Sequence, residues 1–455
     1  MKRTREQIKA ELMKQAEQGI DRLLDWEEKA DKPTLTQFEN QVLITRKALS
    51  EAMLEGVMAG QESRQPAEPV KCPKCGQPTE NKGLQTKEIE TRAGTLRLRR
   101  QYHYCAHCQA GFFPLDEQLQ VWEAHWSEGV ARLVVWLSGQ ATFGEASEIL
   151  VEVGQIQVST STVWRQAQRW GEALKVLEQQ QADKVDHLPS REEITPGEAK
   201  STERLGVAMD GAKMYVLGEG WKEFKVGCLF EIAEWPTFVK ETLEWEMLGH
   251  AVNNTYVAHL GGPESLGQKV WAEAYRRHWT QAWETEVLGD GAPWIWNLAD
   301  EHFYDSLRVV DWYHGTEHLG HAAQSLYGED NSPVKQRWLN EHKQILFEGQ
   351  ALHLAQTLLD LAAGQTGGVR DTLLEQAGYF ENNQHRMNYL ELREEGWLIG
   401  SGMVESGAKQ FKDRFTGPGM RWSRPGAERM LPVRAAVMSR TFDDAWRAIY
   451  KSPNN

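Results

Sequence analysis

The order of strand-like and helix-like segments after Leu205 is the feature that most limits the folds open to this chain. Three strand-like segments come first, and helices then alternate with two further strands. The predicted strands cover 205–217, 222–232, 254–260, 285–290 and 306–313, and the predicted helices between them cover 264–279 and 293–304. Residues 315–395 are then almost entirely helical. Such an order predicts a mixed α/β domain that carries a helical insertion.

Three acidic residues fall at matching places in this pattern. Asp210 lies in the apolar run LGVAMDGAKMYV, Asp290 ends the fourth predicted strand, and Glu405 lies on a last helix over Val404–Phe415. The order of elements is that of an RNase H-like core, in which the fourth strand neighbours the first and a later helix packs across the same end. We therefore expect the three carboxylates to converge. An Asp-Gly pair between strand-like runs equally predicts a hairpin turn, so a strand end at Asp210 stays open.

A convergent set of carboxylates suits a hard metal ion. Mg²⁺ prefers oxygen ligands and is usually held by a few carboxylates together with substrate phosphate. Two Mg²⁺ ions about 3.5–4 Å apart activate the attacking oxygen and stabilise the leaving oxygen in phosphodiester chemistry. We predict that Asp210, Asp290 and Glu405 are catalytic magnesium ligands, with Mn²⁺ as an alternative ion. Asp311 rivals Asp290 for the second position, but it ends the edge strand of the predicted order.

Four of the five cysteines form two Cys-x-x-Cys pairs around a predicted β-hairpin. The hairpin covers Lys87–Thr91 and Thr95–Tyr104, with Ala93-Gly94 at its turn. Two such pairs that bracket a hairpin are typical of a zinc ribbon, because four thiolates close a tetrahedral Zn²⁺ site. The predicted structural zinc ligands are Cys72, Cys75, Cys105 and Cys108. The predicted DNA contacts of this ribbon are Arg97, Arg99 and Arg100, although a purely structural ribbon stays open.

A second DNA-binding element is predicted within residues 117–182. The segment FGEASEILVEVG, followed by QVSTSTVWRQAQRWGEAL, indicates helix, turn and helix, with Ser159 or Ser161 as the cap of the second helix. This spacing suits a helix-turn-helix, although many short helical pairs share it. The side chains predicted to face DNA from the second helix are Thr160, Thr162, Arg165 and Gln166.

Composition and charge set the class of protein. A chain of 455 residues with 40% hydrophobic residues predicts several domains with real cores. The net charge of -14 argues against a uniformly basic DNA-binding protein, yet Lys and Arg outnumber acidic residues in 71–104 and 406–455. No apolar run is long enough to span a bilayer, and the polar N-terminus lacks a signal peptide's apolar core. We expect a soluble cytoplasmic protein.

Five motifs together resemble a known family. They are MDGAKMYV at 209–216, GDGAPWIWNL at 289–298, DWYHGTEHL at 311–319, GSGMVESGAKQFKDRF at 400–415 and MRWSRPGAERML at 420–431. In this order they resemble the bacterial insertion-sequence DDE transposases of the Mutator-like superfamily, specifically the Kra-type group. The resemblance extends from the cysteine pairs to about residue 447. It implies cut-and-join transfer of DNA by Asp210, Asp290 and Glu405 with two divalent ions.

The resemblance also assigns roles to residues around these three. It implies that Asp311 and His314 form an auxiliary Asp-x-x-His element near the active site, although a buried Asp–His hydrogen bond would explain them equally well. It matches 315–395 with an insertion domain, where Trp338, His342 and Lys343 are weak candidates for DNA contact. Further predicted DNA contacts in the basic C-terminal part are Lys409, Lys412, Arg421, Trp422 and Arg424. For Trp422 a packed aromatic between solvated arginines stays open.

Together these observations predict a domain order and a function. The predicted domains are an N-terminal helical region (1–62), a zinc ribbon (70–116), a helix-turn-helix-like helical domain (117–182), a linker (183–203), the first part of an RNase H-like core (204–314), an all-helical insertion (315–397) and the second part of the core (398–447). The predicted partners are double-stranded transposon ends and target DNA, bound by a dimer or higher oligomer associated with the bacterial nucleoid. The alternatives are a non-catalytic DNA-binding regulator and an RNase H-like nuclease that does not join strands.

Overall fold

The computed structural model describes residues 4–62, 70–123, 125–185, 203–239, 243–329 and 332–450. The chain divides into two compact units. The first comprises Met1–Trp170 with Trp446–Asn455, and the second comprises Gly171–Ala445. The fold is mixed α/β and contains one sheet in each unit. The finer division into seven predicted domains stays a prediction.

Two long helices begin the first unit, as the helical spacing within 1–62 predicts. Helix α1 covers Arg5–Lys29 and helix α2 covers Leu35–Glu62. The side chain of Thr4 accepts a hydrogen bond from the amide of Gln7, whose side chain bonds back to Thr4, so a capping box fixes the start of α1. The two helices approach closely, because a Cβ placed on Gly19 would lie 2.7 Å from the side chain of Leu49.

A three-stranded antiparallel sheet follows and confirms the predicted hairpin. Strands β1 (Glu80–Thr91), β2 (Gly94–Cys105) and β3 (Ala110–Phe112) lie in the order β1-β2-β3. Alternate residues of β2 are buried, and Leu96 and Leu98 form a small core with Ile89 and Leu115. Partly buried side chains of α2 pack against this core, so α2 and the sheet share one hydrophobic cluster.

Further helices follow the small sheet, and the last of them continues past Trp170 into the second unit. They are α3 (Pro114–Gln118), α4 (Glu128–Gln140), α5 (Phe143–Glu152) and α6 (Thr160–Asp183). Helix α5 begins with a capping box between Thr142 and Glu145. The predicted helix, turn and helix therefore exist as α5, the 153–159 turn and α6. Most of the predicted linker, 186–202, lies outside the described residues.

The second unit is built on a five-stranded mixed sheet. Its strands are β4 (Arg204–Val216), β5 (Gly220–Val239), β6 (Glu244–His259), β7 (Glu284–Gly289) and β8 (Leu307–Val310). Their order across the sheet is β6-β5-β4-β7-β8. Strands β4, β5 and β6 pair antiparallel, whereas β7 pairs in parallel with both β4 and β8. The fourth predicted strand is thus the neighbour of the first, as expected.

Three details of this sheet bear on the sequence analysis. The strand predicted over 205–217 is confirmed and the alternative turn at Asp210-Gly211 is excluded, because β4 continues to Val216 and turns at Gly218 and Gly220, which have φ of +79° and +78°. Strands β5 and β6 are much longer than predicted, because they continue as a two-stranded ribbon through the acidic stretch after residue 233. Strand β8 is shorter than predicted, because Asp311 caps the next helix.

Helices cover both faces of the sheet. Helix α7 (Pro263–Arg276) covers one face and precedes α8 (Pro293–His302). Val270 of α7 lies against Gly227 of β5. The neighbouring Phe224 points to the other face, where it contacts Phe411 and Phe415 of α14 (Gly402–Phe415).

The remaining helices confirm that 315–395 is helical. They are α9 (Trp312–Tyr327), α10 (Pro333–Phe347), α11 (Ala351–Ala363), α12 (Gly367–Asn383) and α13 (Tyr389–Glu394), with α15 (Arg424–Met438) and α16 (Phe442–Ile449) near the end of the chain. None of the described helices is long and apolar enough to cross a membrane.

Candidate active site and metal centres

The parallel strands of the second unit end at one edge of the sheet, and acidic residues follow them there. Continuing the register of β4 and β7 by two residues beyond its last pair brings Asp210 beside Asp290. Continuing the register of β7 and β8 by one residue brings Asp311 beside Asp290. The carboxyl ends of parallel strands are the usual place for polar sites in such sheets. Asp290 therefore lies between two other carboxylates at this edge.

Asp210 is partly buried and lies in a negative field. Its Oδ1 accepts a hydrogen bond from the amide of Gly211 at 2.6 Å. Burial raises the pKa of Asp210 to about 6, helped by the negative charges of Asp290 and Glu405 and opposed by the Gly211 amide and His314. Asp290 and Glu405 are therefore close enough to act on Asp210. This cluster favours a bound cation, which would relieve the repulsion.

Ser401 connects Glu405 to the sheet edge. Its hydroxyl donates to Oε1 of Glu405 at 2.8 Å, and its amide donates to Oδ2 of Asp311. Ser401 is only 3% exposed, and its bond to Asp311 lies away from bulk solvent. The Gly-Ser-Gly turn before α14 thus fixes the Glu405 side chain against the end of β8. Sequence reasoning marked this turn but gave Ser401 no role.

Asp311 and His314 form a hydrogen-bonded pair, which was one of the two interpretations of these residues from the sequence. Asp311 has no exposed surface, and its Oδ1 accepts from the amide of His314 at 2.8 Å and contacts His314 Nδ1 at 3.2 Å. Against the effect of burial, the bonds from His314 and Ser401 lower the pKa of Asp311. The bond to Asp311 and the charges of Asp311, Asp290 and Glu405 raise the pKa of His314 to about 9. His314 is therefore a cation at neutral pH.

The ligand atoms of Asp311, His314 and Glu405 all lie within 4.8 Å of one another and could hold a metal ion. Such an ion would have to displace a proton from His314, because only a neutral imidazole binds a metal. Among the described residues, Asp210 and Asp290 do not join Glu405 in a set as compact as this one. The structure therefore brings the three predicted carboxylates into electrostatic contact, but it places Glu405 nearest to the auxiliary pair. Oxygen donors dominate the whole cluster, which fits hard divalent ions such as Mg²⁺ or Mn²⁺.

We expect His314→Gln to destabilise the metal-free protein in a pH-dependent way. A histidine whose pKa is raised from 6.5 to about 9 contributes stability that is complete below pH 6.5 and is lost as the pH rises through 9. At about 1.4 kcal/mol per pKa unit the whole change corresponds to about 3 kcal/mol. The loss at pH 7 should be about 2 kcal/mol, because solvent screens the partly exposed ring and pH 7 already lies above 6.5. Chemical denaturation at pH 6, 7 and 10 measures it. An equal loss at all three values would contradict the charge of His314.

Four cysteines of the first unit meet as the sequence predicts. The sulfurs of Cys72 and Cys108 are 3.9 Å apart, and those of Cys75 and Cys105 are 3.6 Å apart. A tetrahedral site with Zn–S bonds of about 2.3 Å separates its sulfurs by about 3.8 Å, so the spacing fits a metal such as zinc. The Cys75 thiol and burial raise the pKa of Cys108 to about 12. Four crowded thiols cannot all ionise unless a cation joins them. Cys228 is buried on β5 and takes no part.

The basic strand β2 does not present all its arginines to solvent. Arg97 is exposed and forms an ion pair with Glu88 at 3.1 Å, and Arg99 is exposed. Arg100 is buried, forms an ion pair with Asp116 and lies 3.7 Å from the ring centre of Phe113. The predicted DNA contact by Arg100 is therefore wrong, since its guanidinium lies inside the fold.

We expect Arg100→Ala to cost stability and Arg99→Ala to cost DNA affinity. Removing one partner of a buried ion pair typically costs about 3–5 kcal/mol, so Arg100→Ala should lower the melting temperature markedly. Arg99→Ala should leave the melting temperature nearly unchanged and reduce the salt dependence of DNA binding by about one phosphate contact. Thermal melting and binding isotherms at several salt concentrations measure the two effects. Weaker DNA binding by Arg100→Ala, with an unchanged melting temperature, would restore Arg100 as a DNA contact.

The start of α6 presents part of the predicted DNA-facing set. Thr160 and Arg165 are exposed, and Arg165 donates to the hydroxyl of Thr162 at 2.9 Å. Gln166 points elsewhere, because its amide donates to Glu123 at 3.3 Å. Trp164 is 48% exposed beside Arg165, and sequence reasoning missed it. A tryptophan left on the surface of a helix is the only signal that could have found it.

The residues near the C-terminus that were predicted to contact DNA also divide into exposed side chains and side chains with partners inside the fold. Lys409, Lys412 and Arg421 are exposed. Arg424 forms a bidentate ion pair with Glu219, with N–O distances of 2.7 and 2.6 Å. Trp422 is 6% exposed and donates to the carbonyl of Phe415 at 2.9 Å, so it is a packed aromatic and the predicted stacking on DNA is wrong.

In the helical block, which comprises helices α9 to α13, Trp338 is also buried. It stacks on His342 with ring centres 3.8 Å apart, and the Nδ1 atom of His342 is 2.8 Å from the carbonyl of Trp338. These contacts give Trp338 and His342 a packing role within α10, and they leave no exposed tryptophan face there for a base.

Comparison of the sequence with protein-family models gave no match, and comparison with curated proteins gave none either.

Proposed function

We propose that this protein is a DDE transposase whose RNase H-like core cuts and joins DNA strands with two divalent metal ions. The observation that carries the proposal is the electrostatic coupling of Asp210 to Asp290 and Glu405 at one edge of a mixed sheet with the order β6-β5-β4-β7-β8. The motif resemblance supports it, since the same three residues are the ones it assigns to catalysis.

The residues of this site would divide the work as follows. Asp210, Asp290 and Glu405 would hold the metal ions, and Ser401 would orient the Glu405 side chain. When bound, the ions would supply an activated water or 3′-hydroxyl and stabilise the leaving oxygen. Asp311 would orient His314 through Nδ1, which leaves Nε2 of a cationic ring to contact a phosphate oxygen.

The first unit would recognise the transposon ends. The four-cysteine group would be a structural zinc ribbon, and the exposed start of α6 would enter the major groove as the second helix of a helix-turn-helix. Thr160, Arg165 and Trp164 are the best-placed side chains for this contact, with Arg99 on the ribbon. A dimer or higher oligomer would hold two ends together.

The proposal is tested with labelled DNA that carries the terminal repeats flanking the gene. We expect cleavage at the repeat end and joining of the new 3′ end to a second duplex, both dependent on Mg²⁺ or Mn²⁺. Glu405→Gln should abolish both steps while repeat binding, measured by mobility shift, stays within twofold of wild type. Cleavage without joining would identify a nuclease. Specific binding without cleavage at any metal concentration would identify a DNA-binding regulator.

A further inference from the structure

Helix α12 of the helical block reaches the loop that carries Asp290. The hydroxyl of Tyr379 donates a hydrogen bond to the main-chain carbonyl of Asp290 at 3.0 Å. Tyr379 lies 89 residues further along the chain, so the contact joins two distant segments. No feature of the sequence pointed to this tyrosine.

The ring of Tyr379 is held in place before it reaches the loop. It stacks on His318 of α9, with ring centres 3.4 Å apart and planes 18° apart. His318 is fixed in turn by a hydrogen bond between its Nδ1 atom and Oε1 of Gln376, which is only 3% exposed. Burial lowers the pKa of His318, so the ring is neutral and its contact with the tyrosine ring is not a charge interaction.

The loop itself is shaped to receive this ring. Gly291 has φ of +99°, and a Cβ placed there would lie 2.7 Å from Cε2 of Tyr379. In the same turn, the amide of Ala292 donates a hydrogen bond to Oδ1 of Asp290 at 2.8 Å. The direction of the Asp290 carboxylate therefore depends on a short loop, and Tyr379 anchors the main chain of that loop.

We propose that Tyr379 is a positioning residue that fixes the Asp290 carboxylate for metal binding and so makes the helical block part of the active site. The inference rests on the proposed function, because it assumes that Asp290 is a metal ligand. Groups that orient a metal ligand typically change metal affinity about tenfold to a hundredfold when they are removed. The bond is to the main chain of Asp290, so we expect the lower end of this range.

The test compares Tyr379→Phe with Tyr450→Phe. Tyr450 is a matched control, because its hydroxyl also donates to a main-chain carbonyl, that of Gln120, at 3.1 Å. Each substitution keeps the aromatic ring and removes one hydroxyl group. Binding of Mn²⁺ alone, followed by electron paramagnetic resonance without DNA, gives the affinity of the site directly. Metal-dependent strand cleavage is measured alongside on the same samples.

We expect Tyr379→Phe to weaken Mn²⁺ binding about tenfold and to raise the Mn²⁺ concentration needed for half-maximal cleavage by a similar factor. Tyr450→Phe should change neither, although both variants should lose a similar amount of thermal stability. Unchanged Mn²⁺ affinity in Tyr379→Phe, with a wild-type protein that binds Mn²⁺ and cleaves DNA, would overturn the inference alone. A wild-type protein that binds Mn²⁺ but never cleaves DNA would count against the proposed function instead.

Discussion

Asp210→Asn should abolish strand cleavage while it makes the metal-free protein more stable. Cleavage should fall by at least about 10³-fold, because metal-assisted charge stabilisation supplies several kcal/mol and each 1.4 kcal/mol corresponds to a factor of ten. The gain in stability has a separate cause. Burial and the charges of Asp290 and Glu405 raise the pKa of Asp210 from 3.8 to about 6, so its ionised form is unfavourable in the folded state.

The pH dependence of this gain follows from the direction of the shift. The folded protein binds the Asp210 proton more tightly than the unfolded chain does, so the stability cost of Asp210 is complete above pH 6 and vanishes below about pH 4. We expect Asp210→Asn to add about 2–3 kcal/mol at pH 8 and almost nothing at pH 4. Asparagine keeps the oxygen that accepts from Gly211. Denaturant unfolding at both pH values measures the difference.

When metal ions are present, Asp210→Asn should lower the stability of the protein relative to wild type. Adding Mg²⁺ or Mn²⁺ should raise the melting temperature of the wild-type protein, because an ion that binds only the folded state stabilises it by mass action. Asp210→Asn should show little or no rise. Asp300→Asn is a useful control, because Asp300 is an exposed carboxylate on α8 that pairs with Arg308. An equal rise in all three proteins would place the ion away from Asp210.

Removal of the four-cysteine metal site should unfold the small sheet of the first unit. We expect the purified protein to contain one zinc ion per chain and Cys105→Ser to lose it. Structural zinc contributes on the order of 10 kcal/mol to folding, whereas the sheet itself has only the small core around Leu98. Proteolysis should therefore cut between Cys72 and Cys108 in the variant. Zinc content is measured by metal analysis and by release to a colorimetric chelator.

The fifth cysteine supplies the control for the zinc experiment. Cys228→Ala alters a buried cysteine of β5 in the other unit, so it should lower stability there and leave the zinc content at one per chain. Specific binding to terminal repeats should be lost in Cys105→Ser and kept in Cys228→Ala. Full binding by a zinc-free Cys105→Ser protein would remove the ribbon from DNA recognition.

The five-stranded sheet was predictable from the sequence, because the signals for its strands are local and repeated. Apolar runs, glycines and helical spacing located every strand of the five-stranded sheet, and the order of elements indicated which strands are neighbours. The turn at Asp210-Gly211 stayed open as an alternative, because the same residue pair is compatible with a turn and with a strand that has a close neighbour. A Cβ on Gly211 would lie 2.5 Å from the side chain of Glu223 on β5, and that neighbour is invisible in the sequence.

The site was predictable in its residue types and less so in its contacts. Carboxylates at strand ends carry a recognisable chemistry, which is why Asp210, Asp290 and Glu405 were found. Ser401 and Tyr379 act through hydrogen bonds to partners about 90 residues away, and no local pattern announces such bonds. The burial of individual side chains was equally hard to predict from the sequence. Arg100 and Trp422 lie in basic stretches that suit DNA contact, but each packs against an aromatic ring of its own unit.

The helical block leaves and rejoins the sheet at almost the same point. The amide of Trp312, at its start, donates to the carbonyl of Ile399, at its end, at 2.8 Å. An insertion whose two ends are already paired adds little strain to the host fold when its length changes, because the cost of closing a loop grows only slowly with size. The block could thus be lengthened or shortened between its helices without moving β8 or α14. Only α9 and α12 would have to be kept, since together they hold the tyrosine that reaches Asp290.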